Sequence, residues 1–312
     1  MKYLTIIFVA IVFISPYLNA QSYYFKHYQV ENGLSNSTVH CCLQDKKGFM
    51  WMGTKDGLDK FDGYTFKAFR HDEDDSTSIG SNFLKSIYEI ESGVLYVGTN
   101  NGLYRYNDSI ENFTTLKTGG EVRDIKEDSS NNLWYIISTQ LYKYDLKTGE
   151  HHAYPRNKYF DATSICITKD NEVWVSTAGG LLEKYDAAKD SFTVYDVFAK
   201  TPAISSKWIE RIYYTSHNTI FIGTSIHGVK VFDIDSKQYR DILTYNADRT
   251  AIFVRDFIQT DTDEYWIATE SGIFIYNMKN DSFINLKKQY NDPYSISDNA
   301  VYTLCKDREG GI

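Results

Sequence analysis

The chain has 312 residues, 41 of them acidic and 33 basic, for a formal net charge of −8. An acidic balance argues against nucleic acid as a partner, and 16% aromatic residues with only four prolines exclude a disordered chain. There is no Cys-x-x-Cys pair and no Cys/His spacing suited to zinc, so neither a metal site nor a cofactor is expected.

Residues 1–20, MKYLTIIFVAIVFISPYLNA, carry a basic Lys2, an apolar run from Leu4 to Ile14, a proline break and a small residue at Ala20. This is the layout of a secretory signal peptide cut before Gln21, and the apolar run is short for a membrane anchor. The reading sends residues 21–312, taken as one domain, to the periplasm.

The stretch FMWMGTKDGLDKFDGY at 49–64 raises the question of whether its glycines form a loop with chemistry or one copy of a unit. It recurs. LYVGTNNGLYRYN starts at Leu95, LWYIISTQLYKYD at Leu133, VWVSTAGGLLEKYD at Val173, IFIGTSIHGVKVFD at Ile220 and YWIATESGIFIYN at Tyr265. The second residue of each copy is Trp51, Tyr96, Trp134, Trp174, Phe221 and Trp266, spaced by 45, 38, 40, 47 and 45 residues. Within a unit the apolar period is two. Val39–Leu43, Phe49–Thr54, Leu58–Phe61 and Tyr64–Phe69 read as strands separated by turns at Asp45–Gly48, Lys55–Gly57 and Asp62-Gly63. Four short strands per unit predict one four-stranded antiparallel sheet per repeat, the blade of a β-propeller. The aromatic of the second strand is expected to fill the gap between neighbouring blades, with small residues after it that let the next backbone approach.

The two ends of the chain look like parts of one further unit. YYFKHY at 23–28 resembles the outer strand YTFKAF at 64–69, and SISDNAVYTLCKDREGGI at 295–312 repeats GLSNSTVHCCLQDKKGFM at 33–50. The expected ring is therefore seven-bladed, with six complete blades and a truncated seventh closed by the N-terminal strand. On this reading the sequence is a piece that stops where a seventh aromatic would follow. Cys41, Cys42, Cys166 and Cys305 fall in first strands and read as small buried hydrophobes with free thiols. Adjacent Cys41 and Cys42 point to opposite faces, so no disulfide is expected between them.

Candidate binding residues come from the repeat register. Eleven residues before each blade aromatic stand His40, Lys85, Arg123, Glu210 and Arg255, each after an aliphatic residue, and Tyr302 follows Val301 in the last segment. The fourth unit does not align cleanly there. Such residues would collar one mouth of the ring, with a largely basic character suited to an anionic or hydroxyl-rich ligand. Trp208, the one tryptophan outside the blade register, enters the fifth unit on that edge and could stack on a sugar ring. The turns after the second strands add Lys55, Asp56, Asn100, Asn101, His227 and Glu270. The turn QDKKGFMW superficially resembles a sialidase Asp box, but its spacing is wrong and Ser/Thr is missing before Asp45. No pair of carboxylates stands out as a glycosidase pair. No catalytic residue is assigned.

Gly33-Leu34-Ser35, Gln44-Asp45, Gly48-Phe49, Trp51, Gly53-Thr54, Asp56-Gly57-Leu58 and Phe61-Asp62-Gly63 match the opening motif of a family. The chain resembles, from Gln21 to Ile312, the two-component-regulator propeller repeats in the periplasmic sensor regions of Bacteroidetes hybrid histidine kinases. The resemblance implies a non-catalytic, ligand-sensing segment responding to a glycan or oligosaccharide. It also implies a downstream propeller and kinase domains as partners in the same inner-membrane-anchored protein, with a possible homodimer. The alternatives are a secreted carbohydrate-active propeller enzyme and a scaffold propeller that docks another protein.

Overall fold

A computed structural model of the protein describes residues 23–154, 161–200 and 204–312; the expected signal peptide at 1–20 lies outside the described residues. The described chain forms six four-stranded antiparallel sheets, each a simple meander in sequence order. Sheet 1 spans 39–69, sheet 2 spans 84–118, sheet 3 spans 122–153, sheet 4 spans 162–196, sheet 5 spans 209–243 and sheet 6 spans 254–286. The inner strands, Val39–Gln44, Leu84–Glu89, Val122–Glu127, Ala162–Ile167, Ile209–Tyr214 and Val254–Asp261, lie side by side from sheet 1 to sheet 6. This is a β-propeller.

The blade aromatics do what their register predicts. Trp51 is buried with Ile79, Leu84 and Tyr104 of the sheet 2 unit, and Trp134 stacks on Tyr154 and meets Tyr185 of sheet 4 edge-on. Trp174 packs on Phe232 of sheet 5, and Phe221 on Tyr265 of sheet 6. Burying each such side chain contributes about 2–3 kcal/mol. A Cβ on Gly53 would come within 2.8 Å of the Leu84 Cβ, and one on Gly98 within 2.7 Å of the Val122 Cβ. Glycine follows the aromatic there because the next inner strand leaves no room for a side chain.

The four indoles in the blade register also find hydrogen-bond acceptors. Trp51 Nε1 donates to Asp45 Oδ2 (2.8 Å) and Trp134 Nε1 to Asp128 Oδ2 (2.7 Å). Trp266 donates to Glu264 at 3.0 Å and Trp174 to Glu172 at 3.3 Å. The first-turn Asp45 additionally accepts from the backbone N–H groups of Lys47 and Phe49. It is a structural residue that orders a hairpin and satisfies a buried donor.

The ring differs from the expected seven blades: among the described residues six sheets form, and no seventh. Residues 301–306, read as the inner strand of a seventh sheet, make no ladder, and neither do residues 23–28. A strand is defined by a neighbour that exchanges hydrogen bonds with it, and neither segment has one. Both instead fill the seam between sheets 6 and 1. At the rim, Tyr23 meets Trp266 edge-on at 5.0 Å, Phe25 N donates to Tyr294 O (3.0 Å), and Tyr28 packs on Phe61 and Phe66. Inside, Leu304 N donates to Asp256 Oδ2 of sheet 6 (3.1 Å), while Arg308 N donates to Gln44 Oε1 of sheet 1 (2.9 Å).

Candidate functional site

Every inner strand begins with the same irregularity. Pairing with the second strand skips one residue between Val39 and Cys41, Leu84 and Ser86, Val122 and Asp124, Ala162 and Ser164, Ile209 and Arg211, and Val254 and Asp256. The skipped residues are His40, Lys85, Arg123, Thr163, Glu210 and Arg255. A bulge leaves its extra residue out of the ladder and re-aims the side chain, so one residue per sheet is turned toward one mouth of the ring. The fourth sheet thus has a collar residue too, Thr163. It is a small one, hydrogen-bonded to Ser176 at 2.9 Å.

The collar side chains form a chain of contacts around the mouth. His40 stacks on Phe83 and meets Tyr302 edge-on, both at 5.0 Å between ring centroids. Lys85 lies over Phe83 and pairs with Glu121 at 3.2 Å; Glu121 also faces Arg123 at 3.6 Å. Past the small Thr163, the Arg123 guanidinium reaches over Trp208, 5.6 Å from its ring. Arg255 lies over Phe253 and Tyr302, 4.1 and 5.0 Å from their centroids, and its Nε donates to Glu270 Oε1 at 2.9 Å. Phe83, Glu121, Trp208 and Phe253 each stand thirteen residues before a blade aromatic. Trp208 therefore belongs to a second register, lying just outside the collar.

The charges are compensated locally. Lys85, Arg123 and Arg255 face Glu121, Glu210 and Glu270, so the mouth is not the basic ring that the sequence suggests. Burial raises the Glu210 carboxyl above its ordinary range, against the pull of the nearby Arg255 and Arg123 charges. Burial, reinforced by the charges of Lys85, Lys55 and Arg255, lowers His40 to about 4. His40 is therefore a neutral ring at neutral pH, and its Nε2 and the Nε of Arg123 are buried without a hydrogen-bond partner.

Beneath the collar the next residue of each strand is also polar or small: Cys41, Ser86, Asp124, Ser164, Arg211 and Asp256. Here most polar atoms have partners on neighbouring sheets, although the Arg211 Nε lacks a hydrogen bond. Asp124 accepts from Ser164 Oγ (2.8 Å) and Ile165 N (2.9 Å), and pairs with Lys126 and Arg211. Arg211 reaches on to Asp256 at 3.4 Å, which accepts from Thr303 Oγ1 at 3.0 Å. Burial opposes ionisation of Asp124, but the charges of Lys126 and Arg211 outweigh it and bring the carboxyl down to about 2. This belt ties sheets 3, 4, 5 and 6 and the C-terminal segment together.

Of the remaining sequence candidates, Lys55 is exposed near His40, and Asn100 and Asn101 are exposed on the same edge. Asp56 turns outward to Arg70 at 3.3 Å, and His227 lies near Phe198 and Lys230, away from the collar. Among the described residues no group of three or more His, Cys, Asp or Glu side chains could hold a metal ion.

The fold and mouth define a β-propeller with a polar, aromatic-studded opening. Residues 33–56 match the family model of the two component regulator propeller. A histidine kinase, P4, from Formosa agariphila is 49% identical over 69 residues, 22% of this chain and 5% of that protein. Two solved structures from B. thetaiotaomicron share the fold. They are extracellular domains of proteins assigned as a one component system (TM-score 0.79, 20% identity, 93% of this chain and 38% of that one) and a hybrid two component system (0.76, 23%, 91% and 39%). The chain thus spans under two fifths of each of those structures. The resemblance to sensor regions of two-component systems is borne out. A streptogramin B lyase also shares the fold (0.67, 13%, 89% and 90%), so function has to be argued from the site.

Proposed function

We propose that this propeller is the extracytoplasmic sensing part of a hybrid two-component histidine kinase and that its collar binds a neutral, hydroxyl-rich saccharide. The observation that carries the reading is the mouth itself. Phe83, Trp208, Phe253 and Tyr302 alternate there with side chains whose charges cancel, and His40 Nε2 and Arg123 Nε are left without partners in the protein. Apolar ring faces with a few convergent polar groups are the usual make-up of small-ligand sites. The compensated charge favours a neutral oligosaccharide over a uronate or sulfated one. The sensor resemblance supports a periplasmic location and a signal passed to further domains of the same protein, with a second copy as one route for transmitting it.

The test is calorimetric titration with neutral and uronate-containing oligosaccharides, combined with product analysis of the same mixtures. Binding of a neutral oligosaccharide without turnover is the expected result. Cleavage of the glycan would favour the propeller-enzyme reading, and no binding to any glycan would favour a protein-docking scaffold.

A further inference from the structure

The seam between sheets 6 and 1 holds two thiols that the saccharide reading does not use. Cys42 lies on the inner strand of sheet 1, and Cys305 lies on the C-terminal segment that runs beside it. Both are partly exposed free thiols, whereas Cys41 and Cys166 are buried. The segment is registered against sheet 1 at two points that flank the pair. Cys42 Sγ lies 3.9 Å from Thr303 Oγ1, two residues before Cys305, and Arg308 N donates to Gln44 Oε1 at 2.9 Å, two residues beyond Cys42. Arg308 Nη2 adds a bond to the Asp45 carbonyl at 2.6 Å. These anchors lay residues 303–308 alongside residues 42–45 and bring the Cys42 and Cys305 side chains into one neighbourhood.

We propose that Cys42 and Cys305 form a disulfide that staples the C-terminal segment to sheet 1, a covalent closure of the seam between the first and last sheets. The oxidant is a disulfide, either a small molecule or a disulfide-exchanging protein. The neighbouring Cys42 lowers the Cys305 thiol and Cys305 raises the Cys42 thiol, so Cys305 is the first to ionise and attack. Its thiolate bonds to one oxidant sulfur and releases the other as a thiol. Cys42 then loses its proton, bonds to the Cys305 sulfur and expels the second oxidant thiol. The protein loses two hydrogens and the oxidant becomes two thiols. The bond joins residues 263 positions apart, and a closed loop of that length restrains the unfolded chain strongly.

The experiment incubates the full chain with oxidised glutathione, digests it without reduction and weighs the peptides, with a thermal melt of the same samples before and after reduction. The expected result is a linked peptide pair containing Cys42 and Cys305, two hydrogens lighter than the free peptides, and a melting temperature roughly 5–10 °C above that of the reduced protein. Cys305→Ser and Cys42→Ser should each abolish the link and the shift, and Cys166→Ser should keep both. The proposal is overturned if both cysteines stay free or carry only glutathione, if Cys305 links to Cys41, or if the linked protein melts no higher than the reduced one.

Discussion

Two successive residues at the head of each inner strand are polar or small, and their surroundings are opposite. The first, His40, Lys85, Arg123, Glu210 or Arg255, sits out of the ladder at a bulge and faces the mouth, with buried nitrogens of His40 and Arg123 unsatisfied. The second, as in Asp124, Arg211 and Asp256, returns to the ladder and is held by charged and hydroxyl neighbours on adjacent sheets, although the Arg211 Nε lacks a hydrogen bond. One backbone irregularity separates a layer that can accept a ligand from a layer that holds the ring. Polarity alone therefore says little about function; how firmly neighbouring sheets already hold the polar groups says more.

The largest loss of stability is expected from the lower layer. Asp124→Ala would leave the Arg211 guanidinium with Asp256 as its remaining close carboxylate and deprive Ser164 and Ile165 of their acceptor. A loss of about 3–5 kcal/mol in denaturant unfolding is expected, as for a buried charge stripped of its partner. A loss below about 1 kcal/mol would mean that the belt is not what ties the sheets.

Glu183 in sheet 4 sharpens the same point from the other side. It is a buried carboxyl to which burial alone gives a value of about 7. Its folded value lies above its unfolded one of 4.5. The folded state thus holds the proton longer, and stability falls as pH rises from about 4.5 to 7. Glu183→Gln should therefore stabilise the protein above pH 7 by on the order of 1–3 kcal/mol and change little below pH 4.5. Equal effects at both pH values in thermal melts would contradict the assignment.

The upper layer should respond least in stability. Arg123 forms a partly exposed pair with Glu121 at 3.6 Å, and ion pairs near the surface contribute about 0–1 kcal/mol. Arg123→Ala should leave the melting temperature within a few degrees of the parent, in contrast to Asp124→Ala one residue away.

Much of this architecture was legible because repeats carry their own controls. The aromatic register from Trp51 to Trp266, the turns and the small residues after the aromatics all follow from packing one sheet on the next, and the structure places them accordingly. The blade number was not legible. Residues 301–306 resemble an inner strand and take contacts on both sides of the seam, but similarity of side chains cannot supply the neighbour that makes a ladder. In the collar, five bulge residues were readable by counting, while Thr163, which also stands eleven residues before its blade aromatic, was missed because its small hydroxyl lacks the charge or ring of its counterparts. Glu121, Phe83 and Phe253 were missed for another reason. They sit two positions before collar residues, in a register that shows only once Trp208 is seen to share it. The role of Asp45 and Asp128 as acceptors for buried indoles was hidden because a turn carboxylate already has a local use.

Binding of a neutral saccharide by the bulge layer can be measured by calorimetric titration of the parent, Trp208→Ala and Arg123→Ala with a neutral oligosaccharide that the parent binds. Each variant should weaken binding about tenfold or more, equivalent to about 1.4 kcal/mol, while still melting like the parent. Unchanged affinity in both variants would mean that the bulge layer does not bind the saccharide.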